Sequence, residues 1–227
     1  MPKALEVPLV SVLIPAYNVE AFIARAIEGV LSQSYPNLEV VVVDDGSTDA
    51  TTQMVVALAK EDKRIHIHRQ ENRGIAATRD VLLALAKGKY LHFFDPDDCL
   101  SPDYYKECVK VAEKTGADLC ATGFDTTKWQ AGIHYDKSRV VEGLREKVEA
   151  IGGLPLRSMV WRYLFRADFV RRARLSFGEG RGWEDLKFTP VALAKSGKLA
   201  IVPRVLYHYA DTPDSLSANK KKIRGRL

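Results

Sequence analysis

The sequence predicts an α/β protein built on a mostly parallel sheet covered by helices. Short apolar runs alternate with stretches of helical periodicity through the first half of the chain, the order that β-α-β units produce. Leu38 to Val43 is a nearly unbroken β-branched run, as in a strand buried on both faces. Two strand candidates end in acids: Asp44-Asp45 follows the first, and Asp95-Pro96-Asp97-Asp98 follows Tyr90 to Phe94. In open α/β sheets that carboxyl edge is where ligands bind.

Taken in order, Val10 to Ile14 is the first strand. Phe22, Ala26 and Val30, flanked by Ile23, Ile27 and Leu31, then repeat at four-residue spacing as one apolar helix face, with Asn18 placed to cap it. The Leu38 to Val43 strand ends at Asp44-Asp45-Gly46-Ser47, a turn composition. A helix over 49–60, a strand over 65–68, a helix over 75–86 and the strand over 90–94 continue the repeat, and Pro96 stops the last strand where the acids begin. After Thr122 the pattern changes. Residues 123–141 read as irregular and polar, 142–151 as helical, then comes a Gly-Gly break and an arginine-rich segment, 157–174. Residues 1–122 thus form one half, and 123–219 are expected to finish the sheet and build the acceptor side.

A chain of 227 residues, 46% hydrophobic and 28% charged, suits one globular domain. No apolar stretch approaches a transmembrane length, and Val7 to Ile14 reads as a strand because no small-residue cleavage site follows it. Cys99, Cys108 and Cys120 are odd in number and lack zinc-knuckle spacing, so a reduced, cytoplasmic protein is expected. The net charge of +5 comes from the tail: residues 220–227 hold five Lys or Arg, and removing them leaves 29 basic residues against 29 acidic. A neutral body argues against a nucleic-acid partner. The tail itself is either solvated or drawn to anionic headgroups, a peripheral contact at the inner face of the membrane.

Three carboxylates at one strand end repel each other unless something cationic compensates them. Oxygen-only ligands favour Mg2+ or Mn2+, whose open positions phosphate oxygens fill. The plainer reading is that Asp95 and Asp98 cap a turn and the helix after Ser101-Pro102, which accounts for one or two acids but not three. There is no Gly-x-Gly-x-x-Gly and no Gly-Lys-Ser/Thr, which disfavours dinucleotide oxidoreductases and P-loop enzymes. The first strand opens instead into Pro15-Ala16-Tyr17-Asn18, where Tyr17 offers a ring face for a base and Asp45 an acceptor for a base N–H. Taken singly, Tyr17 is a packing residue and Asp45 a turn residue.

Together these residues resemble family 2 glycosyltransferases. The resemblance rests on Val10 to Asn18, Leu31-Ser32-Gln33-Ser34-Tyr35, Val43 to Asp49, Asn72-Arg73-Gly74 through Arg79, and Gly88 to Asp98. It covers the first 120 residues strongly, and the later stretch Phe177-Gly178-Glu179-Gly180 to Trp183-Glu184-Asp185 resembles the family's Glu-Asp motif. It implies a glycosyltransferase A-type, Rossmann-like fold, a nucleotide-sugar donor and inversion at the anomeric carbon. By position it places Pro15, Ala16, Tyr17 and Asn18 at the nucleoside, Asp45 on the base, and Gly74 and Arg79 near the nucleotide. Asp95 and Asp97 form the Asp-x-Asp motif, with Asp97, helped by Asp98, holding Mn2+ or Mg2+. Asp185, by the same resemblance, would be the general base.

Other roles stay divided. Arg79 reads equally as a helix-surface arginine, and Glu184-Asp185 alone reads as helix-start acids. His208 is either a packed strand residue or, as the resemblance implies, a further metal ligand. Trp161 and Trp183 stack on a sugar or fill the core. The arginines of 157–174 meet an anionic acceptor or coat a helix, and 212–217 resembles the family's mobile segment over the donor. Many relatives continue into a C-terminal helical region for acceptor binding, membrane association or dimerisation, so a truncated chain and a homodimer both fit. The expected partners are a UDP-linked sugar and a glycan or lipid-linked acceptor of a cell-surface polysaccharide. The rival readings are a sugar-phosphate nucleotidyltransferase, which would want a Gly-rich basic loop after the first strand, and a non-catalytic nucleotide- or carbohydrate-binding protein.

Overall fold

The computed structural model describes residues 7–126, 132–153, 158–178 and 184–210. Its first half runs β1 (Val10–Ala16), α1 (Ile23–Leu31), β2 (Leu38–Asp44), α2 (Thr51–Glu61), β3 (Ile65–Arg69), α3 (Ile75–Leu85) and β4 (Tyr90–Phe93). These strands pair in parallel in the order β3-β2-β1-β4, with Ile14 opposite Val42 and Leu13 opposite Phe93. Every residue of β1 and β2 is buried, which is why both are mostly apolar, with Ser11 and Glu39 among the buried polar exceptions. Side chains alternate between the two faces of the sheet. Val12 and Ile14 pack under Ile23, Ile27, Tyr104 and Tyr105, whereas Leu13 packs with Leu82, Phe93, Phe188 and Leu193 on the other side.

The second half completes the same sheet. It runs β5 (Cys99–Leu100), α4 (Tyr104–Thr115), β6 (Leu119–Thr126), β7 (Arg139–Val141), α5 (Leu144–Ala150), β8 (Tyr163–Arg166), α6 (Ala167–Arg172), α7 (Glu184–Lys195) and β9 (Leu199–Tyr209). The order continues β4-β8-β6-β9-β5, with β7 also on β9. β8 lies antiparallel between β4 and β6, and β6 pairs with β9 in parallel. Helices α1, α2 and α4 cover one face, and α3, α6 and α7 the other. No described helix is long and apolar enough to cross a membrane.

Several local expectations change. β1 runs two residues further, to Ala16, taking in Pro15. Asn18 does not cap α1, which begins after Phe22 with no side-chain cap. At φ 52° Asn18 turns toward the next strand end, where its Oδ1 accepts from the Thr48 N–H at 2.8 Å and its own N–H donates to Ser47 Oγ at 3.0 Å. The irregular stretch expected over 123–141 carries the end of β6 and all of β7, because pairing with the distant β9 supplies backbone partners that local sequence does not reveal. The arginines of 162–172 do not share one role. Arg162 is fully buried, with Nη2 donating to Tyr135 Oη at 2.8 Å, while Arg166 and Arg172 pair with Asp168. Arg157, Trp183, the 212–217 segment and the 220–227 tail lie outside the described residues.

The edge opposite the acidic clusters is locked by a buried polar knot. Ser11 Oγ donates to Glu39 Oε1 at 2.5 Å and accepts from the Gly88 N–H at 2.8 Å, and Glu39 Oε1 also accepts from the Lys87 N–H at 2.8 Å. A Cβ on Gly88 would stand 2.6 Å from Ser11 Oγ and 2.7 Å from the Ser11 backbone nitrogen. Gly88→Ala is therefore expected to destabilise the fold by about 2 kcal/mol through overpacking. Urea unfolding measures it, and an unchanged midpoint would show that the strands separate there without cost.

Candidate active site

The chain leaves β1, builds β2 and β3 on one side, then crosses to β4 on the other. The carboxyl ends of β1 and β4 therefore flank a topological switch point, where a crevice opens in α/β sheets. Tyr17, the first residue past β1, is half exposed there, while Pro15 and Ala16 are buried in the strand. Asp95 to Asp98 follow β4 directly.

Asp44 and Asp45 at the end of β2 point to opposite sides, as successive strand residues must. Asp44, wholly buried, accepts from the Ser47 N–H at 2.9 Å and from Thr52 Oγ1, closing the turn into α2. Asp45 instead receives the turn before α3: Oδ1 accepts from Gln70 Nε2 at 2.7 Å and the Arg73 N–H at 2.9 Å, and Oδ2 from the Gly74 N–H at 2.8 Å. Gly74 sits at φ 86°, a region costly for residues with a Cβ. Asp45 thus fixes where α3 starts.

One turn into α3 lies Arg79, only 3% exposed. Its Nη2 meets Asp95 Oδ1 at 3.1 Å, and its Nη1 meets Glu184 Oε1 at 2.5 Å and Asp185 Oδ1. It also lies 5.5 Å from the centroid of the Phe177 ring. A surface role for Arg79 is excluded. The guanidinium joins the acids after β4 to the acids at the start of α7. Burial disfavours its charge, but Asp185, Asp95 and Glu184 outweigh that and hold it firmly protonated. One cation does not neutralise three acids. Burial raises Asp185 to about 6, Arg79 opposes the rise, and Glu184 and Asp95 add to it. Among the described residues, the second oxygen of Asp185 accepts a long 3.3 Å bond from the Val160 N–H.

Asp97 is half buried, and its backbone carbonyl accepts from Arg25 Nη2 at 3.0 Å. Asp98 is turned away into the protein. It is 1% exposed, with Oδ2 accepting from Tyr207 Oη at 2.5 Å and Oδ1 from the Ala210 N–H at 2.8 Å. It caps neither a turn nor α4. Burial first, then the charges of Asp95 and Asp97, push its carboxyl up to about 8. His208 follows Tyr207 on β9 and so faces the other way, where Nδ1 meets Asp125 Oδ1 at 2.8 Å and Nε2 meets Ser101 Oγ at 2.9 Å. Both ring nitrogens are engaged, and the structure does not bring His208 to Asp98. Among the described residues no three His, Cys, Asp or Glu side chains gather as a metal cage. Trp161 is a core residue, 2% exposed and stacked on Tyr207 at 4.2 Å, not a sugar platform.

Sequence reasoning missed three residues that shape this site. Tyr207 holds Asp98, Phe177 lies against Arg79, and Asp80 bonds the turn that carries Phe177. Phe177 opens the stretch that resembles the Glu-Asp motif, whereas nothing local in the sequence marks the contacts of Tyr207 or Asp80.

Comparison with known proteins identifies the family and the fold. The signature described as Glycosyl transferase family 2 matches residues 11–169. The chain is 30% identical over 218 residues to the uncharacterized glycosyltransferase EpsJ of Bacillus subtilis, covering 93% of the chain and 63% of that relative. Its fold is similar to S. aureus TarS 1-349 in complex with UDP-GlcNAc, with TM-score 0.79 at 22% identity, over 91% of this chain and 59% of that one. It is also similar to the mannosyltransferase PcManGT of Pyrobaculum calidifontis in complex with GDP-Man and Mn2+, with TM-score 0.68 at 21% identity, over 96% and 61%. The chain spans about three fifths of the length of each. The family signature covers more than half of the chain and the fold matches solved glycosyltransferases, so the chain belongs to glycosyl transferase family 2 and has the glycosyltransferase A-type fold.

Proposed function

We propose that this chain is an inverting glycosyltransferase that moves a sugar from a nucleoside diphosphate, UDP by preference, to a hydroxyl of a glycan or lipid-linked acceptor in cell-surface polysaccharide synthesis. The observation that carries the reading is the Arg79 cluster, which sets Asp185 beside the acids at the switch-point crevice. TarS with UDP-GlcNAc supports the choice of UDP, and PcManGT with GDP-Man keeps a guanosine donor as the comparison.

Tyr17 and Asn18 border the nucleoside, with Pro15 and Ala16 behind them, and Asp45 with Gly74 forms the base end of the pocket. Asp185 takes the acceptor hydroxyl's proton on Oδ2, since Oδ1 is committed to Arg79. Direct attack by the deprotonated oxygen needs no covalent intermediate, and so inverts the anomeric carbon. Glu184 shares Arg79 with Asp185, so the base keeps one oxygen fixed and one in reserve.

The donor set fits a divalent ion. Asp95, Asp97 and Asp98 crowd one strand end within four residues, and Arg79 pairs with Asp95 among them. Mg2+ and Mn2+ commonly take one or two carboxylates and fill their remaining positions with phosphate oxygens and water, so a three-residue cage is not required. Asp97, the second acid of the Asp-x-Asp pair, would hold the ion. Bound there, Mn2+ or Mg2+ would neutralise charge developing on the departing diphosphate.

Two measurements test this. With Mn2+ present, UDP should raise the melting temperature more than GDP, CDP or dTDP, and Asp97→Ala should abolish the metal-dependent part of the shift. If none of the four raises it, the donor assignment is wrong. Asp185→Asn should leave the UDP affinity nearly intact while slowing transfer on the order of a thousandfold, the range for loss of a general base. Because Asp185 works ionised, kcat/KM should climb as pH rises through about 6 and flatten above. A profile level across pH 5 to 7 would remove Asp185 from that role.

A further inference from the structure

Asp80 is the α3 residue after Arg79, pointing about 100° further around the helix. Its carboxylate receives three donors from a single turn: the Phe177 N–H at 2.8 Å, the Gly178 N–H at 3.2 Å and Ser176 Oγ at 3.0 Å. Gly178 sits at φ 71°, so the turn closes tightly around the carboxylate. The turn holds the Phe177 ring, 1% exposed, in parallel contact with Phe188 at 4.1 Å and 5°, with the edge of Phe93 at 5.1 Å. Phe188 stands three residues after Asp185 in α7 and therefore on the same side of its first turns.

We infer that Asp80 is a positioning residue for Asp185, acting through the Phe177–Phe188 stack. The inference rests on Asp185 being the proposed base. α7 needs such support from outside. Pro190 lies inside it and has no N–H to donate to the Leu186 carbonyl, so the helix ladder is interrupted just after the turn that carries Glu184 and Asp185. Neighbouring side chains of α3 hold that turn from two directions: Arg79 grips the two carboxylates, and Asp80 grips the turn whose ring packs on Phe188. Arg79 touches the reacting acid itself. Asp80 does not, and neither does it touch Asp45 or the Gly74 turn, so its loss should separate base placement from donor binding.

The test compares Asp80→Ala and Ser176→Ala with the unaltered chain. Ser176 is exposed, so removing its hydroxyl leaves the fold intact while taking one of the three donors. Backbone amide exchange at Phe188 and Thr189 should quicken about tenfold in Asp80→Ala and less in Ser176→Ala, while α4 exchanges as before. Nucleotide release, with water as acceptor, is read from UDP-N-acetylglucosamine, UDP-glucose and GDP-mannose. Its kcat should fall about tenfold in Asp80→Ala, with the donor KM within about threefold. Unchanged exchange at Phe188 overturns the anchor. Faster exchange with unchanged kcat overturns the positioning role, and a rise in donor KM equal to the fall in kcat/KM does the same. If Asp80→Ala does not fold, Ser176→Ala decides by the same readouts. If the unaltered chain releases nucleotide from none of the three sugars, the proposed function fails, and exchange alone judges the anchor.

Discussion

Everything at this sheet edge depends on one buried cation among three acids. Arg79 reaches Asp95 beyond β4 with one nitrogen and Glu184 and Asp185 of α7 with the other. Removing a guanidinium from water is costly unless its donors are met; both terminal nitrogens of Arg79 meet carboxylates, while its buried Nε has no partner among the described residues. Three acids gathered without it would repel each other. The cluster therefore ties α7, which comes late in the chain, to the first four strands.

The tie reaches back through α3 to β2. Asp45 fixes the Gly74 turn with three donors, and Arg79 follows five residues later, about 7.5 Å along the helix axis. In the proposed reaction Asp45 serves the nucleotide base and Asp185 the acceptor, so one short rigid element sets the distance between the two ends of the chemistry. The imbalance of charge is equally useful. In the proposed role Asp185, raised to about 6 by burial, would be ionised at neutral pH yet more basic than an exposed aspartate, which suits proton transfer from a hydroxyl.

Much of the site was legible in sequence because its signals are local. The acids at 44–45 and 95–98 follow strands whose apolar runs are plain, and the parallel order of β1 to β4 follows from the alternation of elements. Local signals failed where a partner lies far along the chain. Arg79 looks like any helix arginine, since Glu184 and Asp185 stand 105 and 106 positions away. Asp98 looks like a cap or a ligand until Tyr207, 109 positions on, takes its oxygen. Asn18 suited a helix cap by type, but five residues before the first helical residue it met the Ser47–Thr48 turn instead.

The sequence by itself determined the element order through β4 and the two acidic strand ends, since periodicity and turn chemistry act within a few residues, whereas the candidate base followed from the family resemblance of the Phe177 to Asp185 stretch. Tertiary structure alone decided that β8 would slip in antiparallel beside β4, that His208 and Asp98 would face opposite sides of β9, and that Arg79 would be buried. Those outcomes depend on which distant groups satisfy each buried hydrogen bond and charge, a condition met only when the whole sheet has closed.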